Sequence, residues 1–212
     1  NMEIFSAFWR LVETGGPLMI PIGLISLWMW ILIVLKAEWL FRANRRPLLV
    51  GEALRCLQEE KPLGEPVYCP RAQALRFFLE HYYRGKRLLS GEADQLFFQV
   101  AVRRQVEGLY RHIPAIMVLA AAAPLLGLLG TVTGMVETFR VIGIYGTGNA
   151  QAMASGIKEA LITTQAGLLV AIPGVLAGQA MRRRIRTMHQ NILVFQQAVS
   201  QWLEKEWQEC SG

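Results

Sequence analysis

The chain has 212 residues, 53% of them apolar and only 18% charged, with a positive mean hydropathy, which is too apolar for an ordinary soluble domain. A formal net charge of +6 suits either nucleic acid or an anionic membrane surface, and the placement of the charge decides between them. Cys56, Cys69 and Cys210 form no CxxC pair, and His81, His112 and His189 are isolated. This argues against a zinc site or a disulfide framework and reads as free thiols in a reducing compartment.

Residues 1–16 carry Glu3, Arg10 and Glu13, with Met2 read as the natural start. They lack the basic region and small-residue cleavage site of a signal peptide, so the apolar run that follows is expected to remain as an anchor. That run, 17–35, reads PLMIPIGLISLWMWILIVL; the next, 113–136, reads IPAIMVLAAAAPLLGLLGTVTGMV; the third, 160–181, reads ALITTQAGLLVAIPGVLAGQAM. Each approaches or exceeds the roughly 20 helical residues needed to cross a hydrocarbon core. Between the first two, GEALRCLQEE and RAQALRFFLEHYYRG place apolar residues at three- and four-residue spacing around the proline-rich connector KPLGEPVYCP, which predicts two amphipathic helices. SGEADQLFFQVAVRRQVEGLYRH opens on Ser90 as a helix cap and predicts one unbroken helix running into the second span. The tail NILVFQQAVSQWLEKEW is expected to prolong the third span in the same way. No strand pattern or internal repeat competes, so the fold class is all-α, an integral membrane protein with three transmembrane helices and long helices beyond the membrane.

Charge placement then sets orientation. Segment 36–112 holds 14 basic and 9 acidic residues, and the tail opens on Arg182, Arg183, Arg184 and Arg186; the link between spans two and three balances Arg140 and Lys158 with Glu137 and Glu159. By the positive-inside rule the basic side is cytoplasmic. The expected organisation is a periplasmic N-terminal segment 1–16, spans at 17–35, 113–141 and 159–181, a cytoplasmic helical region 36–112, a periplasmic hairpin 142–158 and a cytoplasmic C-terminal helix 182–212. The basic charge is thereby explained by topology, and nucleic-acid binding loses its support.

Spans two and three carry matched stripes. Ala120, Pro124, Gly127, Thr131, Gly134 and Thr138 are spaced 4, 3, 4, 3 and 4 apart, and Ala160, Thr164, Gly167, Ala171, Gly174 and Gly178 repeat that spacing. A period of about 3.5 keeps such residues on one helix face. Two readings stay open: close helix packing through small residues, or a pore wall whose polar members are hydroxyls. Thr131 lies 19 positions after His112 and Thr164 lies 18 before Arg182, so an antiparallel pair sets both at one depth. A hydroxyl donates and accepts, so a ring of them can hold water or receive a carboxyl group without bearing charge. Glu159 lies some 140° around the helix from Thr164, nearer Thr163. It is either a functional boundary acid or an anchor paired with Lys158 or Arg140; Glu137 and Arg140 read as an exposed ion pair. Span one, with Trp28 and Trp30, is expected to face lipid. No Asp or Glu occupies the middle of any span, so any titrating carboxylate on a proton path comes from another chain. No P-loop, HExxH, GxSxG or DFG set supports an enzyme.

APLLGLLGTVTGMVETF (Ala123–Phe139) and GIKEALITTQAGLLVAIPG (Gly156–Gly174) closely resemble the MotA/TolQ/ExbB proton-channel family, and TGGPLMIPIGLISLWMWILIVLK looks like an ExbB-type first span. The resemblance covers nearly the whole chain. It implies a homopentamer in the bacterial inner membrane, with no cofactor, whose second and third spans surround an ExbD-type single-span partner bearing the essential Asp. Proton flux would then energise a TonB-type transducer for transport across the outer membrane. It further implies pore-lining roles for Thr131, Thr164 and Glu159, to which Thr163 on the Glu159 side is added as a candidate. The small-residue stripes give Pro124, Gly127, Gly134, Gly167, Ala171 and Gly174, with Pro173 beside them, as candidates for helix packing, and membrane lipids are expected around the assembly. Thr133 stands where many ExbB-like relatives have a bulky residue, and Gln165 where a small one is common. A TolQ-like or gliding-type motor shares the same pore, and a structural scaffold would use the stripes for packing alone; a self-contained transporter has little room in three spans.

Overall fold

A computed structural model describes residues 15–43, 48–58, 69–83, 91–146 and 150–211. They form six helices: α1 (Met19–Ala43), α2 (Val50–Gln58), α3 (Pro70–Tyr83), α4 (Gly91–Tyr110), α5 (Ile113–Tyr145) and α6 (Ala150–Ser211), with no strand among the described residues. Three stretches are long and apolar enough to cross a membrane: Met19–Ala43, Asp94–Tyr145 and Ala150–Lys205. Contacts divide the chain into two compact units, one of Asn1–Leu35 and His112–Ala180, the other of Lys36–Arg111 and Met181–Gly212.

The first unit brings together the apolar parts of α1, α5 and α6. Met19, Ile22, Met29 and Ile33 of α1 are buried, while Leu24, Leu27, Trp28, Ile31, Val34 and Leu35 are exposed. A helix apolar on every face, with only one stripe covered by protein, is stable where lipid covers the rest. The same holds for α5, where Leu125, Leu128, Val132 and Val136 are exposed, and for α6, where Leu161, Leu169, Ile172 and Leu176 are. The chain is an integral membrane protein.

The second unit has a side-chain core of a different kind. Phe78 meets Phe98 edge-on at 5.4 Å between ring centroids, Phe98 meets Phe195 at 6.2 Å, and Phe77 stacks on Phe97 at 5.7 Å. Leu75, Val102, Leu109, Ile192 and Val199 of the same unit are fully buried as well. Large apolar side chains inside, with ion pairs such as Arg76–Glu80 and Arg103–Glu107 outside, mark a unit built for water. The Glu52 carboxylate accepts from Leu49 N–H at 3.4 Å and caps α2, and Arg71 donates to Leu48 O at 3.1 Å. Cys69 is buried and free; the side chains of Cys56, Cys210 and His81 lie outside the described residues.

Two differences from the sequence expectation have local causes. The helix predicted to run unbroken into the second span stops at Tyr110 and restarts at Ile113, with His112 left-handed at φ 71°. Pro114 supplies no N–H, and its ring crowds the carbonyl four residues back, so a continuous helix across Tyr110 is disfavoured there and Pro114 instead sits in the first turn of the next helix. The expected hairpin 142–158 is also largely helical, since α5 runs to Tyr145 and α6 begins at Ala150. Gly156 is buried against Thr138, and a Cβ there would lie 2.9 Å from Gly134 O, so packing extends the helix pair further than hydropathy did.

The break leaves the last carbonyls of α4 without helical donors. Lys36, only 6% exposed, donates to Gly108 O at 3.2 Å and lies 4.5 Å from the centre of the Trp39 ring. A cation at a helix C-terminus is stabilising by up to about 2 kcal/mol when partly buried. Lys36→Met keeps the aliphatic stem and removes the ammonium group. It is expected to lower the stability of the purified protein by about 1–2 kcal/mol, read as a fall of a few degrees in Tm; an unchanged Tm would show that the cap contributes nothing.

Candidate functional site

The small residues of α5 and α6 meet each other inside one chain. On α5 the buried positions are Ile113, Ile116, Ala120, Ala123, Gly127, Gly130, Gly134 and Thr138; on α6 they include Gly156, Ala160, Thr163, Gly167, Ala171, Gly174 and Gly178. The helices run antiparallel with backbones nearly touching. A Cβ on Gly127 would stand 3.1 Å from both Thr163 O and Thr164 Cα; one on Gly167 would stand 2.7 Å from Ala123 O; one on Gly134 would stand 2.8 Å from Ala160 Cβ. Such approach requires glycine and alanine on both sides, as in close-packed membrane helices.

This register, with Gly127 against Gly167 and Gly134 against Ala160, brings Thr131 and Thr164 to one level at the margin of the seam. Both are half-buried. Thr131 Oγ1 donates to Leu128 O at 2.7 Å; Thr164 Oγ1 lies 3.0 Å from Ala160 O and 3.3 Å from Gly127 O across the seam. Each hydroxyl therefore has its proton directed to a backbone carbonyl and retains lone pairs as acceptors. Thr133 likewise donates to Leu129 O and Gly130 O from an exposed position, and Gln165 is exposed, so neither enters the seam.

Thr163 sits differently from the expectation of an open, pore-facing side chain. It is 1% exposed, its hydroxyl donates to Glu159 O or Ala160 O at 3.0 Å, and it fills the space beside Gly130, where even a methyl group would collide with it. The cause is a helix rotation: the buried stripe of α5 is Ala120, Ala123, Gly127, Gly130 and Gly134, one column over from the Pro124–Thr131 column, so Thr163 faces Gly130. Ala171 and Gly174 are buried, with a Gly174 Cβ falling 3.1 Å from Ala120 Cβ; Pro124 and Pro173 are half-buried within continuous helices.

Glu159 lies on the opposite margin, facing α1. Its carboxylate rests against Gly16, at φ +70°, so that a Cβ on Gly16 would stand 2.7 Å from Glu159 Cδ. A Cβ on Gly15 would likewise be 3.2 Å from Ile162 Cγ2. An acid beside the first residues of α1 is favoured by the helix dipole. Sequence reasoning missed Ala123, Gly130, Gly156 and Gly16; Ala123 and Gly130 were readable as a second small-residue column on α5 and Gly156 as one more step of the α6 stripe, whereas Gly16 carried only the general signal of a turn. Glu137 and Arg140 form an exposed pair at 3.5 Å.

Residues 72–193 match the MotA/TolQ/ExbB proton channel family, a range that contains the whole seam. The chain belongs to that family. It is 29% identical over 196 residues to the biopolymer transport protein ExbB of Neisseria gonorrhoeae, covering 85% of this chain and 89% of that protein. It is 34% identical over 137 residues to ExbB of Xanthomonas campestris, covering 59% and 52%. It is 35% identical over 92 residues to the Tol-Pal system protein TolQ of Haemophilus influenzae, covering 43% and 40%. The matched range of this chain spans the glycines that let α5 and α6 touch and the two threonines at their margin.

Proposed function

We propose that this chain is the channel-forming stator subunit of an inner-membrane motor driven by proton motive force. It is oriented with its N-terminus periplasmic and its C-terminus cytoplasmic, and assembles as a homopentamer around an ExbD-type single-span partner. The observation that carries the reading is the chemistry of the seam margin: Thr131 and Thr164 lie level, uncharged and half-buried, and the nearby acid Glu159 is turned away toward α1. A wall of this kind provides a polar level but no proton acceptor of its own, so the titrating carboxylate belongs to the partner.

The hydrogen bonds suggest how the wall acts. With both hydroxyl protons directed to backbone carbonyls, the threonines offer acceptor lone pairs, which match a carboxylic acid in its protonated form. The partner's acid is thereby held neutral while it passes the apolar level and is released where water reaches it. Glu159 keeps a positioning role at the α1 margin on this reading, and Thr163 holds the seam. The output is energised transport through a TonB-type transducer. This is favoured over TolQ-type output because the ExbB relative matches along 85% of the chain and the TolQ relative along 43%.

The double variant Thr131→Val/Thr164→Val keeps side-chain shape and deletes both hydroxyls. Reconstituted with its partners, it is expected to assemble normally and to lose proton-driven uptake by at least about ten-fold, the consequence of one unsatisfied buried polar group or more. Full uptake in the double variant would overturn the role of the hydroxyls. Co-purification of Tol-Pal components instead of a TonB-type transducer would overturn the assigned output.

A further inference from the structure

We infer that the second units of neighbouring copies dock head to tail, the α4 column around Val100 in one copy meeting the α6 column around Val194 in the next. The inference rests on the ring proposed above and adds to it a contact outside the apolar runs. Leu96 and Val100 are 63% and 54% exposed, and Leu193 and Val194 are 44% and 62% exposed, although this unit is otherwise built for water. Leu96, Val100, Arg103 and Glu107 are spaced 4, 3 and 4 apart, and Gln190, Val194, Gln197 and Gln201 repeat that spacing. Each set therefore forms one column on its helix. At about 100° per residue the α4 column lies opposite buried Phe98 and Val102, and the α6 column opposite buried Ile192 and Val199. Phe98 and Phe195 join the two helices inside the unit, so the two columns leave it on opposite sides.

Three observations select a second copy as the occupant. The first is level. Val100 lies two residues from Phe98 toward the second span, and Leu193 lies two residues from Phe195 toward the third, so the two patches share one height. Copies inserted in one membrane stand at one depth, and patches at one height on opposite sides of a unit are what a head-to-tail ring requires. The second is charge. From Thr187 to Leu203, α6 carries no Asp, Glu, Lys or Arg, yet Gln190, Val194, Gln197 and Gln201 are all exposed. A solvent-facing column without charge has the composition of an interface core. At its membrane end the pairing is complementary: Glu107 and Arg186 lie nine residues from Phe98 and Phe195 and each points away from the unit, so the acid of one copy is level with the base of the next. The third is position. Gln190 is nine residues beyond Met181, about 13 Å past the apolar run, where lipid tails do not reach. The α6 column also stands about 60–120° around from Thr164, so a neighbour seated on it leaves the threonine face open to the channel partner.

The test uses the full chain in membranes with its partners, in a Cys56→Ser/Cys69→Ala/Cys210→Ser background. On mild oxidation Val100→Cys/Val194→Cys is expected to give a ladder of linked subunits beyond the dimer, because each copy offers one thiol to each neighbour. Glu107→Cys/Arg186→Cys is expected to give the same ladder. Val100→Cys/Arg186→Cys is about 10 Å out of level, too far for a disulfide, and is expected to stay unlinked. Val100→Asp/Val194→Asp sets like charges face to face; it is expected to raise several-fold the concentration at which the assembly dissociates, while the subunit stays folded because both positions are exposed. Subunits that assemble yet give no ladder from either level pair would overturn this contact and leave the ring standing, whereas a chain that remains monomeric would overturn both. Dimers from Val100→Cys or Val194→Cys alone would show two copies meeting by the same face and would overturn the head-to-tail arrangement. Photo-cross-linking from position 194 to a partner chain in place of a second copy would overturn it as well.

Discussion

Gly167→Leu is expected to part α5 from α6 and to eliminate the folded subunit. The neighbours of an added side chain are backbone atoms, Ala123 O at 2.7 Å and Gly127 Cα at 3.2 Å from the first new carbon, and backbone in a helix cannot rotate aside. The whole α5–α6 approach has to widen, which breaks the contacts of Gly134 with Ala160 and of Gly127 with Thr164 on either side. Overpacking of a close seam costs about 1–3 kcal/mol even where side chains can yield, and more is expected here. Even Gly167→Ala should lower Tm measurably, whereas Leu169→Ala, at a position 73% exposed, should leave subunit stability near wild type. Size-exclusion chromatography and thermal unfolding in detergent distinguish these outcomes. A Gly167→Leu protein of normal size and stability would mean that the helices do not meet as described.

Gly16→Ala is the second substitution with a large expected effect. Two costs add. The left-handed backbone at φ +70° disfavours a residue with a Cβ by roughly 1–2 kcal/mol, and that Cβ occupies the space of the Glu159 carboxyl group. Relief requires either α1 or the Glu159 side chain to move. A cysteine pair at Gly15 and Ile162 reports the outcome, since a Cβ on Gly15 lies 3.2 Å from Ile162 Cγ2. The pair is expected to cross-link readily in an otherwise wild-type chain and poorly when Gly16→Ala is added. Glu159→Ala, which empties the space, should restore cross-linking in the Gly16→Ala background. Cross-linking that ignores both substitutions would remove Glu159 from the α1 margin.

The spans were legible in the sequence because membrane thickness sets a length that uncharged runs either meet or miss. The seam was legible only to within one helix column. Ala120, Gly127 and Gly134 belong to both the expected stripe and the buried one, but Pro124 and Thr131 were chosen where Ala123 and Gly130 are the buried pair. Both columns are made of small residues at the same spacing, so periodicity alone cannot choose between them; the partner helix does. For the same reason Thr163 was assigned to an open face although Gly130 covers it. The break at His112 was within reach, since Pro114 favours the first turn of a helix over its interior, although Pro124 and Pro173 are carried inside helices. Glu159 was separable from Thr164 by helix angle, but its contact with Gly16 joins residues 143 positions apart, and nothing local encodes it.

The glycine seam closes entirely within one polypeptide, and that fixes what is left for assembly. The surfaces a subunit presents to copies of itself, or to lipid, are the leucine-, valine- and isoleucine-bearing flanks of α5 and α6. In the proposed ring, the angle at which neighbouring copies meet, and hence the number that completes a circle, would be set by these bulky side chains and not by the glycines. On that proposal subunit integrity and ring size are separable traits: changes at the exposed Leu128, Leu161 or Leu176 would alter how many copies close while leaving each building block intact.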